Sequence, residues 1–329
     1  MHTKAAEIEQ AYLGLKANSV ESGTVQALKT EVTGIYLAIN DLGDFLCLVD
    51  DKREFSSPPR KLKAIAVDYG LKYKAIVSGD EYSGKFTILK LRGENDHLLV
   101  TFSSLLSILL EALGEEPTPA ELQEFVENFI ELFTPRAGDP RERLKGLFGE
   151  LAVIYFGANR EQFVQAWHES SNANKDFSFP GFYLEVKTTE GKVRKHEFSA
   201  KQLDSPFEGK PVNVASLVIE EDPQGKTVFQ LLDSIQTGMN PDLQLKLIRE
   251  FFEIVGLDAE DAHEIRWQVQ GHADGIQIFK AEDLPKPITS GPDKKLSAIS
   301  NVSFSINFEI LQATGVESAS LSSLPLAGF

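Results

Sequence analysis

The spacing of apolar residues changes character along the chain. Near the N-terminus, helical spacing predicts a helix over Ala5–Leu15. Over residues 34–102, short apolar runs alternate with turn residues, a pattern typical of a compact and mostly antiparallel β region. Its clearest hairpin joins Ile35–Ile39 to Asp44–Val49. The N-terminal part of the chain is therefore predicted to be β-rich.

Helical spacing dominates most of the remaining chain. It predicts helices over Leu105–Leu113, Ala120–Phe133, Arg141–Phe156, Arg160–Trp167 and Asp242–Val255. The loop at 114–119, which contains two prolines, separates the first two of these helices and is the predicted domain boundary. Near the C-terminus, apolar and polar residues alternate strictly over Val302–Ile310, which predicts a half-buried strand.

A second hairpin is predicted over residues 176–188, where the turn dipeptide Pro180-Gly181 separates two extended segments. Strand alternation places Glu185 and Lys187 on one face of the second segment. A short hairpin brings Asp176 opposite Glu185, so two carboxylates and one ammonium meet on the same side of a sheet. Mg²⁺ prefers such carboxylates together with water and phosphate oxygens. A nearby lysine can orient water or stabilise transition-state charge.

A fourth candidate residue precedes this hairpin on the predicted helix Arg141–Phe156. Glu150 lies beside the apolar stripe of that helix, immediately after Gly149. A glycine in a helix interior costs about 1 kcal/mol relative to alanine. Close approach by a neighbouring backbone would explain why a glycine stands at this helix position despite its cost. It would also bring Glu150 near the sheet.

The array of Glu150, Asp176 and Glu185-Val186-Lys187 resembles the PD-(D/E)XK nuclease superfamily. The resemblance implies that Asp176, Glu185 and Glu150 bind Mg²⁺, for which Mn²⁺ can substitute, and that Lys187 assists the attacking water. It also implies a glutamine near the active site, for which Gln202 is the candidate. Lys175 stands where the motif has its proline.

The superfamily core implied by the resemblance is an αβββαβ arrangement. Val193–Phe198 is the expected third strand, a helix opens at 199–203, and Val212–Ile219 and Thr227–Leu232 are further strands that pair across a turn. The whole chain is also similar to a family of prokaryotic proteins described only as PD-(D/E)XK members and associated with restriction or phage-defence gene clusters.

The predicted fold class is therefore α+β or α/β with three domains. Residues 1–116 form an N-terminal β-rich domain, and residues 117–235 form a restriction-endonuclease-like αβββαβ core. Residues 236–329 form a C-terminal extension of helix and strand. The single cysteine, Cys47, lies in an apolar run and is predicted to be a buried core residue.

The net charge of −16 argues against a protein that coats nucleic acid without specificity. A local basic strip could still hold the DNA backbone, and its candidates are Lys192, Arg194, Lys195 and Lys201. A solvated edge strand protected by lysines explains the same residues equally well. The predicted partners are DNA and the proteins of a restriction or defence complex, and a homodimer is also considered. No signal peptide or membrane span is evident, which favours the cytoplasm.

Each candidate residue also has a plain structural interpretation. Asp176 can be a turn residue, and Glu185 and Lys187 can belong to a solvated strand face. His168 and His196 are possible proton carriers, but surface or capping roles are favoured for both. The alternative function is a non-catalytic nucleic-acid-binding or scaffolding subunit that keeps the nuclease fold.

Overall fold

The computed structural model describes residues 2–17, 24–53, 57–61, 65–77, 80–132, 138–168, 175–255, 262, 264–287 and 302–326. The chain separates into two units, Met1–Arg136 and Ala137–Phe329. No helix within these described ranges is long and apolar enough to cross a membrane.

The first unit is built on a sheet that closes on itself. Its strands are β1 (Val25–Lys29), β2 (Ile35–Asn40), β3 (Phe45–Asp50), β4 (Arg60–Lys61), β5 (Ile65–Val77) and β6 (Asp80–Leu91). They follow the order β1-β2-β3-β6-β5-β4, and β1 also pairs with β5. The predicted hairpin is β2 and β3, and the β-rich character of the N-terminal part is confirmed.

Helices cover part of this closed sheet. They are α1 (His2–Lys16), α2 (Leu99–Ala112) and α3 (Pro119–Leu132). The fully buried Tyr12 of α1 packs against Phe45 and Phe102, and its hydroxyl donates to the carbonyl of Leu46 at 2.9 Å. Cys47 is buried as predicted, and burial raises the pKa of its thiol, so it is an inert core residue.

The second unit has both helices and strands. Its helices are α4 (Pro140–Phe156), α5 (Arg160–Ala166), α6 (Val228–Gln236), α7 (Pro241–Val255) and α8 (Phe308–Ala313). Its strands are β7 (Phe177–Ser178), β8 (Tyr183–Glu190), β9 (Lys195–Ser199), β10 (Val212–Lys226), β11 (Trp267–Val269), β12 (Gln277–Lys280), β13 (Ser303–Asn307) and β14 (Ala319–Ser320).

The main sheet of this unit has the order β14-β12-β10-β8-β7, and β11 also pairs with β10. The central strands β8 and β10 are parallel, with Glu185 opposite Val214. Leu184 on β8 and Val214 on β10 have no exposed surface. A buried parallel pair of this kind is typical of sheets covered by helices.

The implied αβββαβ core is not reproduced. The expected third strand forms as β9 but pairs antiparallel with β13, far along the chain, in a sheet of its own. The helix expected at 199–203 is a short 3₁₀ turn, Ala200–Leu203. The segment predicted as the strand Thr227–Leu232 is the start of α6.

Local chemistry explains the last of these corrections. Thr227 and Gln230 form a reciprocal capping box, in which each side chain accepts a hydrogen bond from the other residue's backbone N–H. Leu231 and Ile235 are buried at helical spacing. Near the C-terminus, the side chain of Asn307 caps the start of α8. The predicted strand Val302–Ile310 is therefore shorter than expected: it forms as β13, which stops at Asn307, and the remaining residues begin α8.

The two units also differ from the three predicted domains. Helix α3, assigned from the sequence to the core, lies in the first unit. The residues beyond 235 are part of the second unit, because β11 and β12 pair with β10 and β14 pairs with β12. The predicted C-terminal extension is therefore integral to the main sheet.

Candidate metal centre

The hairpin β7–β8 brings Asp176 next to Glu185. Phe177 pairs with Leu184 and Ser178 with Tyr183, and the same register continued by one residue sets Asp176 beside Glu185. The turn is closed by the N–H of Phe179, which donates to the carbonyl of Phe182 at 3.0 Å. The side chain of Asp176 accepts a hydrogen bond from the backbone N–H of Val186 at 2.6 Å.

Glu185 is the most deeply buried of the predicted site residues, with 2% of its surface exposed. Its Oε1 accepts a hydrogen bond from Gln202 and lies 3.1 Å from the ammonium of Lys187. Its Oε2 is buried and has no hydrogen-bond partner. A buried carboxylate oxygen without a partner is costly, and a bound cation would satisfy it.

Gln202 is held in place by the 3₁₀ turn that contains it. Its Oε1 accepts a hydrogen bond from the N–H of Ser199 at 2.9 Å, which leaves its amide group to donate to Glu185. The buried ammonium of Lys175 donates to the backbone carbonyls of Lys201, at 3.2 Å, and Gln202. Lys175 therefore holds the 3₁₀ turn in place through its ammonium group. This role could not be predicted from its position in the sequence before Asp176.

Helix α4 approaches the sheet at the glycine that the sequence singled out. A Cβ atom at Gly149 would lie 1.7 Å from Oγ1 of Thr188 on β8. The close approach predicted from Gly149 is confirmed, although a side chain rather than backbone makes it. As a result Glu150 faces the site, where its Oε2 accepts a hydrogen bond from the indole N–H of Trp167 at 2.7 Å.

His168 joins the same cluster, so it is more than the surface or capping residue favoured from the sequence. Its Nε2 lies 3.2 Å from Glu150 and its Nδ1 lies 3.4 Å from Glu250 on α7. Its backbone has a positive φ of 45°, which is uncommon for a residue other than glycine. Neither His168 nor Glu250 belongs to a local motif, so sequence spacing could not bring them together.

Among the described residues, one group of side chains can supply closely spaced metal ligands. One ligand atom each from Glu150, His168 and Asp176 lie within 4.8 Å of one another. Glu185 is not in this closest group. Its Oε1 contacts Gln202 and Lys187. The structure thus places His168 beside the predicted ligands.

The electrostatics of the cluster favour a cation. Burial raises the pKa of Asp176, and the neighbouring charges of Glu185 and Glu150 raise it further. Burial likewise raises the pKa of Glu185, against the opposing effect of Lys187. Burial by itself would lower the pKa of His168, but its contacts with Glu150 and Glu250 raise it to about 10. Crowded carboxylates of this kind are relieved by a bound divalent cation, and the residues present fit one.

The basic strip does not act as one surface. Lys192, Lys195 and Lys201 are exposed. Arg194, in contrast, donates to the carbonyl of Ser216 and, at 2.9 Å, to that of Gly275. Its guanidinium therefore ties β9 to the main sheet, which does not fit the expected role in holding DNA.

His196 is buried rather than exposed, so its expected surface role was wrong. Its Nε2 lies 2.7 Å from the hydroxyl of Ser216. Burial, followed by the charges of Arg194, Lys187 and Lys145, lowers the pKa of His196 to about 3. The ring is therefore neutral at physiological pH.

Comparison with known proteins gives a family match. Neither the curated proteins nor the solved structures gave a match. Among protein families, a match spans residues 8–309, which is nearly the whole chain and includes every residue of the cluster. The chain therefore belongs to the family described as "Putative PD-(D/E)XK family member (DUF4420)".

Proposed function

We propose that the second unit hydrolyses phosphodiester bonds of DNA with the help of a divalent cation, Mg²⁺ or Mn²⁺. The observation that best supports this is the hairpin register that sets Asp176 beside Glu185, together with one buried oxygen of Glu185 that has no hydrogen-bond partner. Membership of a PD-(D/E)XK family agrees with nuclease chemistry.

Each residue has a distinct part in this proposal. Asp176, Glu185 and Glu150 hold the cation, which supplies a Lewis acid for the phosphate and lowers the pKa of a bound water. Lys187 keeps its ammonium 3.1 Å from Glu185 and only partly exposed, where it can orient water and stabilise charge on the phosphate. Gln202 keeps Oε1 of Glu185 fixed, so that Oε2 remains available.

The substrate contacts are proposed to come from the exposed lysines. Lys192, Lys195 and Lys201 follow strand β8, which contains Glu185 and Lys187, and they can bind the phosphate backbone. Three lysines on a chain of net charge −16 give weak affinity for DNA. We therefore propose that protein partners of a restriction or defence complex deliver the substrate.

The test is cleavage of duplex DNA and of a duplex RNA of the same sequence. The protein is assayed with Mg²⁺ or Mn²⁺, alone and with the products of its neighbouring genes. Lys187→Met should lower the rate at least about 100-fold, in line with the effect of losing a general acid–base group. The control is Lys280→Met, an exposed lysine on β12, which should cleave like wild type.

Two results would count against the proposal. Cleavage that is unchanged in Lys187→Met would show that the activity arises elsewhere. Metal binding without cleavage under every condition would favour the non-catalytic scaffolding subunit. Faster cutting of RNA than of DNA would keep the chemistry and change the substrate.

A further inference from the structure

The two ring nitrogens of His168 face different carboxylates. Nε2 lies 3.2 Å from Oε2 of Glu150, inside the carboxylate cluster. Nδ1 lies 3.4 Å from Oε2 of Glu250, on a different helix. Histidines that bind metals almost always have their second nitrogen directed at a carboxylate, a backbone carbonyl or water in this way.

The size of the cluster suits one ion held by Glu150, His168 and Asp176 together. Two ligand atoms on opposite sides of an ion with bonds of about 2.1 Å lie about 4.2 Å apart. The ligand atoms of Glu150, His168 and Asp176 lie within 4.8 Å of one another, so small side-chain movements bring all of them into one coordination sphere. The buried oxygen of Glu185 that has no hydrogen-bond partner is a second, independent observation that favours a cation, because a bound ion would satisfy it.

We propose that His168 is a nitrogen ligand of the cation, that Glu250 orients its ring, and that the centre consequently prefers Mn²⁺ to Mg²⁺. This inference rests on the proposed function, since it concerns the same cation. Mg²⁺ is a hard ion that takes oxygen ligands and keeps its water, whereas affinity for imidazole is greater among transition metals. The ring must lose a proton from Nε2 when the ion binds there.

The direct test uses Mn²⁺ alone as the probe. Electron spin-echo envelope modulation of Mn²⁺ bound to the full-length protein detects a coordinated nitrogen. Wild type should show ¹⁴N modulation, and protein labelled with ¹⁵N-histidine should lose it. Because this comparison needs no substitution, it does not depend on any variant folding.

Variants then assign the nitrogen to one residue. His168→Asn keeps a side chain that tolerates positive φ but offers only an amide oxygen to the metal. It should remove the ¹⁴N modulation and reduce the preference for Mn²⁺ over Mg²⁺ by at least about tenfold. Glu250→Gln should keep the nitrogen bound and weaken Mn²⁺ binding by about 10- to 100-fold.

The matched control is His272→Asn. His272 is exposed, also has a positive φ, of 53°, and is not part of the cluster. This variant should bind Mn²⁺ with the same ¹⁴N modulation as wild type. Equal thermal unfolding of the two asparagine variants and wild type would show that the loss in His168→Asn is not a folding defect.

The outcomes separate the two proposals. Mn²⁺ that binds to wild type without ¹⁴N modulation would overturn the role of His168 and leave the proposed function standing. Modulation that persists in His168→Asn would also overturn it. If wild type binds no Mn²⁺ at all, both proposals are wrong.

Discussion

At the scale of single residues, the candidate site places Asp176 and Glu185 together at a cost in stability. Burial is the largest cause of the raised pKa of each, and for Asp176 the neighbouring carboxylates add to it. A raised carboxyl pKa means that the folded protein favours the protonated form. The free energy of unfolding therefore falls as the pH rises above the usual pKa range of carboxyl groups. It is still lowered at neutral pH when no metal is bound.

Asp176→Asn is accordingly expected to stabilise the metal-free protein. Relief of repulsion should add about 0.5–2 kcal/mol to the free energy of unfolding at pH 7.5, as often found when a strained functional site is neutralised. The gain should shrink at pH 4.5, because the raised pKa of Asp176 favours the protonated wild-type carboxyl as the pH falls. Urea unfolding in EDTA at both pH values measures this, and a less stable variant at pH 7.5 would contradict it.

The buried His196 should affect stability in the opposite direction, because its contribution is lost as the pH falls. Its pKa is about 3 when folded, so a proton binds to the unfolded chain below the ordinary histidine pKa but not to the folded one. Stability should fall by up to about 1.4 kcal/mol for each pH unit as pH drops from 6.5 to 5. His196→Gln should lose this part of the pH dependence, while the exposed His272→Gln should keep it. Equal slopes in wild type and His196→Gln would refute the neutral, buried histidine.

The sequence identified the site residues that are linked by local geometry. Hairpin register and strand alternation were enough to predict the proximity of Asp176, Glu185 and Lys187. His168 and Glu250 could not be predicted, because helix packing alone brings α7 to the end of α5. Their roles as ligand and orienting residue, like those of the predicted residues, stay predictions.

At the scale of elements, the packing of α4 on β8 sets the position of Glu150. The helix can approach the strand because Gly149 has no Cβ atom to meet Thr188. This contact could be predicted because a glycine inside a helix is locally unfavourable. The pairing of β9 with β13 could not be predicted, since no local pattern specifies a partner so far along the chain.

Gly149→Ala and Gly146→Ala should have opposite effects within the same helix. Alanine favours a helix by about 1 kcal/mol over glycine, and nothing lies within 4 Å of a Cβ at Gly146, so Gly146→Ala should stabilise the fold. Gly149→Ala should lower the free energy of unfolding by about 1–3 kcal/mol through overlap with Thr188. Chemical denaturation measures both, and a stabilised Gly149→Ala would show that α4 does not lie this close to β8.

At the scale of the whole molecule, the residues after 235 complete the sheet that positions the site. They supply β11, β12 and β14, and they include Glu250. Hydropathy patterns predicted the helix α7 but gave no indication that later strands pair with β10. The predicted division at residue 235 therefore differs from the compact unit Ala137–Phe329.

Two fragments test this division. Residues 137–329 should unfold cooperatively, because they contain the complete main sheet. Residues 137–235 should not, because β10 would lose its pairing with β11 and β12 and expose buried residues such as Val214. Circular dichroism during urea unfolding distinguishes cooperative from non-cooperative unfolding of each fragment. Cooperative unfolding of the shorter fragment would support the predicted domain boundary at residue 235.

The central claim is that buried carboxylates at this site bind a divalent cation. Calorimetric titration of the full-length protein with Mg²⁺ and Mn²⁺ tests it most directly. Wild type should bind at one saturable site, as should Asp274→Asn and Glu282→Gln, which change exposed carboxylates. Asp176→Asn and Glu185→Gln should lose that binding. Absence of saturable binding in wild type, or unchanged binding in both site variants, would contradict the account.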